Sequence, residues 1–158
     1  CALPISGGAA AAKRATAGGS WGAYYWNGYV YSSELDRGFD ILELTPNDKL
    51  SKNEIEAAKL MRQAVYNPQS QTTFEWPPAF VVVRSYLDQL VRNQGLAPAR
   101  TTAIAAALDA AEAKSGAARK SALTALAAQV DVDVKGAKDG QRVQWMSDAI
   151  KKLAAQTK

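Results

Sequence analysis

The feature that most limits the fold is a change of hydrophobic period at Leu44-Thr45-Pro46. Before it, aromatic and β-branched residues alternate at every second position; after it, apolar residues recur every three or four. A chain with both periods in that order is expected to be α+β: a small antiparallel sheet followed by helices.

The first period is carried by three runs. Trp21-Gly-Ala-Tyr-Tyr-Trp26 reads as a strand, and Asn27-Gly28 as a type I′ hairpin turn, because both residues tolerate positive φ. Tyr29 to Ser33 follows as a second strand, with Tyr29, Tyr31 and Ser33 on one face and Val30 and Ser32 on the other. Glu34 to Gly38 makes a tight connection. Phe39 to Leu44 then alternates again, Phe39 and Ile41 opposing Asp40, Leu42 and Leu44. Neither face is polar throughout, so both are expected to be covered. Three short strands cannot cover themselves, and an isolated meander leaves two open edges. In a propeller each blade packs on its neighbours, so residues 20–46 are expected to form an incomplete terminal blade of a larger object.

The second period begins with a capping box. Ser51 stands three residues before Glu54, and Ile55, Ala58, Met61 and Val65 make a stripe that predicts a linker helix ending before Asn67-Pro68. The loop from Pro68 to Trp76 is expected to be anchored by Phe74 and Trp76, closing a linker segment over 47–76. Beyond it, Phe80, Val83, Leu87 and Leu90 share one face, and Gly95 is the expected stop. Arg84, Asp88 and Arg92 continue an outward row. From Ala97 to Asp131, 15 of 35 residues are alanine, which favours helix strongly. Ile104 and Leu108 mark its first stripe, Gly116 breaks it, and Leu123, Leu126 and Val130 resume it. Val143, Met146, Ile150 and Leu153 line a last helix. Residues 77–158 are therefore expected to be an alanine-rich three-helix bundle with short loops.

The start of the chain reads differently. Residues 1–19 run through Gly, Ala and Lys-Arg and are expected to be a disordered tether. Cys1-Ala-Leu-Pro-Ile-Ser6 matches the translation of a common sequencing-adapter end, so residues 1–6 are expected to be adapter-derived and the chain the tail of a longer protein. The other reading makes Cys1 the lipidated first residue of a processed lipoprotein.

Two stretches resemble known families. Asn27 to Leu44, through Gly28, the Tyr29–Tyr31 strand and the Gly38-Phe-Asp-Ile-Leu-Glu-Leu44 strand, resembles the repeat of LVIVD-repeat proteins, with Phe39 in place of an aliphatic residue and Glu43 near the usual Asp. That resemblance implies a predicted extracytoplasmic β-propeller, a location in the cell envelope or outside the cell, and the rest of the parent propeller as partner. Phe80 to Leu90 and Leu96-Ala-Pro-Ala-Arg100 resemble the small helical bundles called FIVAR or FIMAT modules, which implies an appendage of a secreted bacterial protein. Neither resemblance implies an activity.

Several chemistries are absent. With no histidine and one cysteine, the chain lacks the parts for histidine-based triads and for the usual zinc, haem and iron–sulfur sites, and no cofactor is expected. The charge of +4 arises after residue 97, where ten basic residues meet six acidic ones, scattered rather than striped; a solvated helical surface is preferred to a nucleic-acid footprint. No apolar run approaches the roughly 20 residues of a membrane span.

Three functions remain: a structural or protein-contacting terminal region, the non-catalytic part of a propeller enzyme, and a carbohydrate-binding module. Glu34, Asp36, Arg37 and Asp40 at the second turn could hold a cation or polar ligand, although turns also collect charges because they stay solvated. Tyr24, Tyr25, Trp26, Tyr29 and Tyr31 could stack a sugar or pack between blades, and Trp21, Trp76 and Trp145 are further candidate binding rings.

Overall fold

Asn27 and Gly28 both take positive φ, 50° and 103°, and turn the chain between two antiparallel strands. β1 spans Ala2–Pro4, β2 Ser20–Trp26, β3 Tyr29–Glu34 and β4 Gly38–Leu44. The sheet order is β1-β4-β3-β2, so the sequential meander β2-β3-β4 gains a short strand on the β4 side. This is a computed structural model, and it describes residues 2–4, 19–34, 38–65 and 67–157. Of the tether expected over residues 1–19, Ala2–Pro4 stands as β1 against β4, while Cys1 and residues 5–18 lie outside the described residues. The described chain divides into two units, Cys1–Phe74 and Glu75–Lys158.

In the first unit, Trp26 faces Tyr29, Tyr24 faces Tyr31 and Gly22 faces Ser33 across β2 and β3, with an irregularity between Ser20 and Gly22. Across β3 and β4, Tyr29 faces Glu43, Tyr31 faces Ile41 and Ser33 faces Phe39. Directly opposed residues share a face. One face therefore carries five rings, and the other carries Tyr25, Val30 and Leu42 with the buried polar residues Ser32 and Asp40. Ser32 Oγ lies 2.6 Å from Ser20 Oγ. The described chain does not itself cover the aromatic side, where Tyr24 is 55% and Phe39 58% exposed, as expected of three short strands that cannot cover themselves.

The linker helix α1 spans Lys52–Lys59 and opens on the expected capping box. Glu54 N–H donates to Ser51 Oγ (3.1 Å) and Ser51 N–H to Glu54 Oε2 (2.7 Å). It ends well before Asn67, a correction with an identifiable cause. The main chain at Gln63 is used by the hairpin turn: its N–H donates to Asn27 Oδ1 and its carbonyl accepts from Asn27 Nδ2, each at 2.8 Å. Arg62 Nη1 adds a bond to the Asn27 carbonyl. Tertiary bonds thus replace the last helical turn, and Val65 of the expected stripe is 75% exposed.

The second unit contains α2 (Phe80–Arg92), α3 (Pro98–Glu112), α4 (Gly116–Asp133) and α5 (Gly140–Gln156). Four helices stand over the span expected to hold three: the break expected at Gly116, which takes φ 52°, separates α3 from α4, and α2 shares their core. Their contacts fix the arrangement. Arg84 near the start of α2 reaches Asp109 (2.8 Å) and Glu112 (2.7 Å) near the end of α3. Arg100 at the start of α3 forks onto Asp133 at the end of α4. Asp131 of α4 bonds Ser147 and Lys151 of α5. Asn93 after α2 bonds Asp139 before α5. Each helix is antiparallel to the next, and α5 returns to α2, closing a ring.

Inside the ring lies one core. Val83, Leu90, Ile104, Leu108, Leu123, Val130, Val143, Met146 and Ile150 are fully buried, as the stripes required. A fully buried aliphatic side chain contributes about 1.5–3 kcal/mol, so few are needed even among alanines. The α2 terminus departs from expectation in one respect. The left-handed residue is Gln94 (φ 53°), not Gly95, and Gly95 N–H closes back to the Leu90 carbonyl at 2.9 Å.

Candidate functional site

The site is built by register. β2, β3 and β4 set their aromatic-face residues in three cross-strand rows: Trp26, Tyr29 and Glu43; Tyr24, Tyr31 and Ile41; Gly22, Ser33 and Phe39. Trp26, Tyr31 and Phe39 occupy the diagonal, one ring per strand. The Trp26 and Tyr31 centroids are 5.8 Å apart at 55°, and Tyr31 and Phe39 are 5.9 Å apart at 34°. These tilted contacts suit the ring quadrupoles. Trp26 and Tyr31 are half-buried, so the rings present faces and edges rather than whole outlines. The Trp26 indole N–H is buried and has no hydrogen-bond acceptor among the described residues.

One corner of the grid is charged. Lys59 Nζ lies 3.3 Å from Glu43 Oε1 and 3.1 Å from Glu56 Oε1. These carboxylates, Glu56 first, hold the Lys59 ammonium above the usual lysine range. On the opposite face, burial pushes the Tyr25 hydroxyl above its ordinary value, partly offset by Lys59 and Arg62. Tyr25 therefore does not belong with the other rings.

The remaining candidates separate. Glu34 closes β3 opposite Gly38, and Asp36 and Arg37 lie outside the described residues. Trp21 sits at the β2 irregularity, 78% exposed. Trp76 and Phe74 do not anchor their loop: they are 40% and 53% exposed on a connecting segment whose neighbours, residues 69–75, are exposed as well. Trp76 belongs to the helical unit and Trp26 to the sheet unit. Trp145 leans on Tyr86 at 6.5 Å on the outside of the helical ring, and burial raises the Tyr86 hydroxyl above its ordinary value.

Phe39 completes the diagonal and was not among the sequence candidates. Its alternation was legible; its register against β3 depended on a turn whose geometry no short motif specifies.

Elsewhere the helical unit has an opening of about 390 Å³ among the α2–α3 and α4–α5 loops, where Lys138 is the only ionisable side chain. Among the described residues, no group of three or more Cys, Asp or Glu could hold a metal ion, and no helix is long and apolar enough to cross a membrane. Comparison of the chain with protein families, with curated proteins and with solved structures finds no match.

Proposed function

We propose that the sheet unit is a non-catalytic recognition surface and that its aromatic face binds carbohydrate. The observation that carries this reading is the contiguous row Trp26–Tyr31–Phe39, in which Phe39 is exposed and Trp26 and Tyr31 are half-buried, flanked by the exposed rings of Tyr24 and Tyr29. Exposed apolar patches of this kind mark surfaces that something else covers. The apolar face of a pyranose stacks on such rings while its hydroxyls stay wet, and tyrosine hydroxyls at the margin supply polar partners. Buried polar walls, which a small charged metabolite would need, are not part of this face.

A second reading has its own support. The outer edge of β2 pairs with no strand among the described residues, and Trp21 stands exposed beside it. An open edge with aromatic residues suits a blade of an LVIVD-repeat propeller, with FIVAR- or FIMAT-like helices appended and an exported parent protein. In that assembly neighbouring blades cover the rings.

Affinity electrophoresis of the full chain in gels cast with soluble polysaccharides tests the first reading. Retardation by at least one polysaccharide is expected, with binding about tenfold weaker in Phe39→Ala. No retardation in any gel, or retardation indifferent to Phe39→Ala, refutes it.

A further inference from the structure

Building on the carbohydrate reading, we infer that the ligand is a linear, uncharged polysaccharide lying diagonally across β2, β3 and β4, with successive sugars over Trp26, Tyr31 and Phe39. The direction follows from the register. Each ring is one strand over and one cross-strand row along from the last, so the track runs from the hairpin turn toward the start of β4. Its steps of 5.8 and 5.9 Å are nearly the same and close to the advance per sugar in an extended pyranose chain. A single sugar could use one ring; only a polymer uses the repeat.

The corners keep the track narrow. Gly22 and Ser33 put little bulk on one side, and the Tyr24 ring folds back over Gly22, where an added Cβ would meet it at 3.4 Å. The other side carries Glu43. The ring planes are inclined to one another by 55° and 34°, so they offer no flat platform of the kind the face of a crystalline polymer requires.

Charge sets the class. Among the described residues of the three strands, this face contributes one ionisable acid, Glu43, and no lysine or arginine. The neighbouring Lys59 is shared between Glu43 and Glu56. With Arg62 on the Asn27 carbonyl beside them, Glu43 and Glu56 are balanced by two cations, so this end of the track carries no net charge with which to draw uronate or sulfate groups.

The test is a titration of the full chain with oligosaccharides graded from monomer to hexamer in the glucan, xylan, mannan and N-acetylglucosamine series, with oligogalacturonates as acidic counterparts. Affinity in at least one uncharged series is expected to tighten by about tenfold per unit up to the trimer and then level. In Phe39→Ala the levelling should come at the dimer, with dimer affinity unchanged. Binding without length dependence, equal weakening of short and long chains by Phe39→Ala, or a preference for oligogalacturonate overturns this inference and leaves the carbohydrate reading standing. Failure of every series to bind overturns both.

Discussion

Gly95→Ala should destabilise the helical unit, although alanine is ordinarily the better residue outside left-handed positions. Gly95 does not have positive φ, so the substitution strains no backbone and by itself should gain about 0.4–1 kcal/mol from a stiffer unfolded chain. The cost is steric. A Cβ there would stand 2.6 Å from Asn93 Oδ1, 2.8 Å from Asp139 Cβ and 2.9 Å from Leu90 Cδ2. All three belong to the junction joining the α2 terminus to the α5 start. Asn93 Oδ1 accepts from Gly95 N–H (2.8 Å), Asn93 Nδ2 donates to Asp139 Oδ2 (2.7 Å), and Asp139 N–H donates to the Gly95 carbonyl (3.0 Å). Overpacking costs about 1–3 kcal/mol, and displacing Asn93 forfeits two hydrogen bonds of about 1 kcal/mol each. The net loss is about 2–4.5 kcal/mol, or a fall in melting temperature on the order of 10–30 °C for a unit of this size. Gln94→Gly is the control: it relieves a left-handed non-glycine residue and should raise stability by up to about 1 kcal/mol. Thermal melting of the full-length variants, followed by the helical circular dichroism signal, reads both. A Gly95→Ala protein as stable as the parent refutes the close-approach argument.

Leu108→Ala, at a fully buried position, should cost about 2–5 kcal/mol in urea unfolding, whereas Val132→Ala, 77% exposed, should stay within about 0.5 kcal/mol; similar losses at both positions would contradict the assigned core. The Asp131 carboxyl is held below the usual aspartate range by Lys151, then Ser147, and that of Asp139 by the Arg142 N–H, then Asn93. A depressed folded-state pKa contributes stability above the unfolded value, 3.8, that is lost as pH falls through the folded one. The urea midpoint should therefore drop as pH falls below about 4, less steeply in Asp139→Asn, and identical slopes would count against it. Asn27→Gly keeps the turn's positive φ but removes both side-chain bonds to Gln63, which should weaken the sheet unit by about 1–3 kcal/mol and speed amide exchange at Gln63; unchanged exchange would show that those bonds do not hold α1's end.

What the sequence disclosed was local. The Asn27-Gly28 turn, the Ser51–Glu54 box and the stripes through Leu87, Leu123 and Ile150 each depend on residues within one or two turns of chain, and each was found where its pattern placed it. The misreadings were tertiary. Nothing near Met61 signals that Asn27, far back in the chain, will bond the Gln63 main chain and end α1 early. Gly95 looked like a left-handed stop because glycine usually is one; here it is required by Asp139, which approaches from the start of α5. The candidate site was half legible. Alternation named Trp26 and Tyr31, but a ring from β4 could join them only through the β3–β4 register, and the same register put Tyr25 on the other face.

The two units use apolar side chains in opposite ways, and that contrast bears on function. The helical ring closes its core with Leu, Ile, Val, Met and alanine, leaving the innermost of them without exposure. The sheet leaves Trp21, Tyr24 and Phe39, among the largest apolar side chains in the chain, more than half exposed. Exposed rings add nothing by burial, at about 25 cal/mol per Å² only for area actually removed from water. Phe39 is only partly explained by the stability of the sheet: its contact with Tyr31 contributes about 0.5–1.5 kcal/mol, while more than half of the residue stays in water. Its ring carries information about whatever covers that face. A neighbouring blade would take the rings and the tyrosine hydroxyls at the margin out of water together. A glycan would cover the rings and leave the hydroxyls in contact with water. The open margin at Tyr24 and Tyr29, 55% and 38% exposed, fits the second arrangement without further partners.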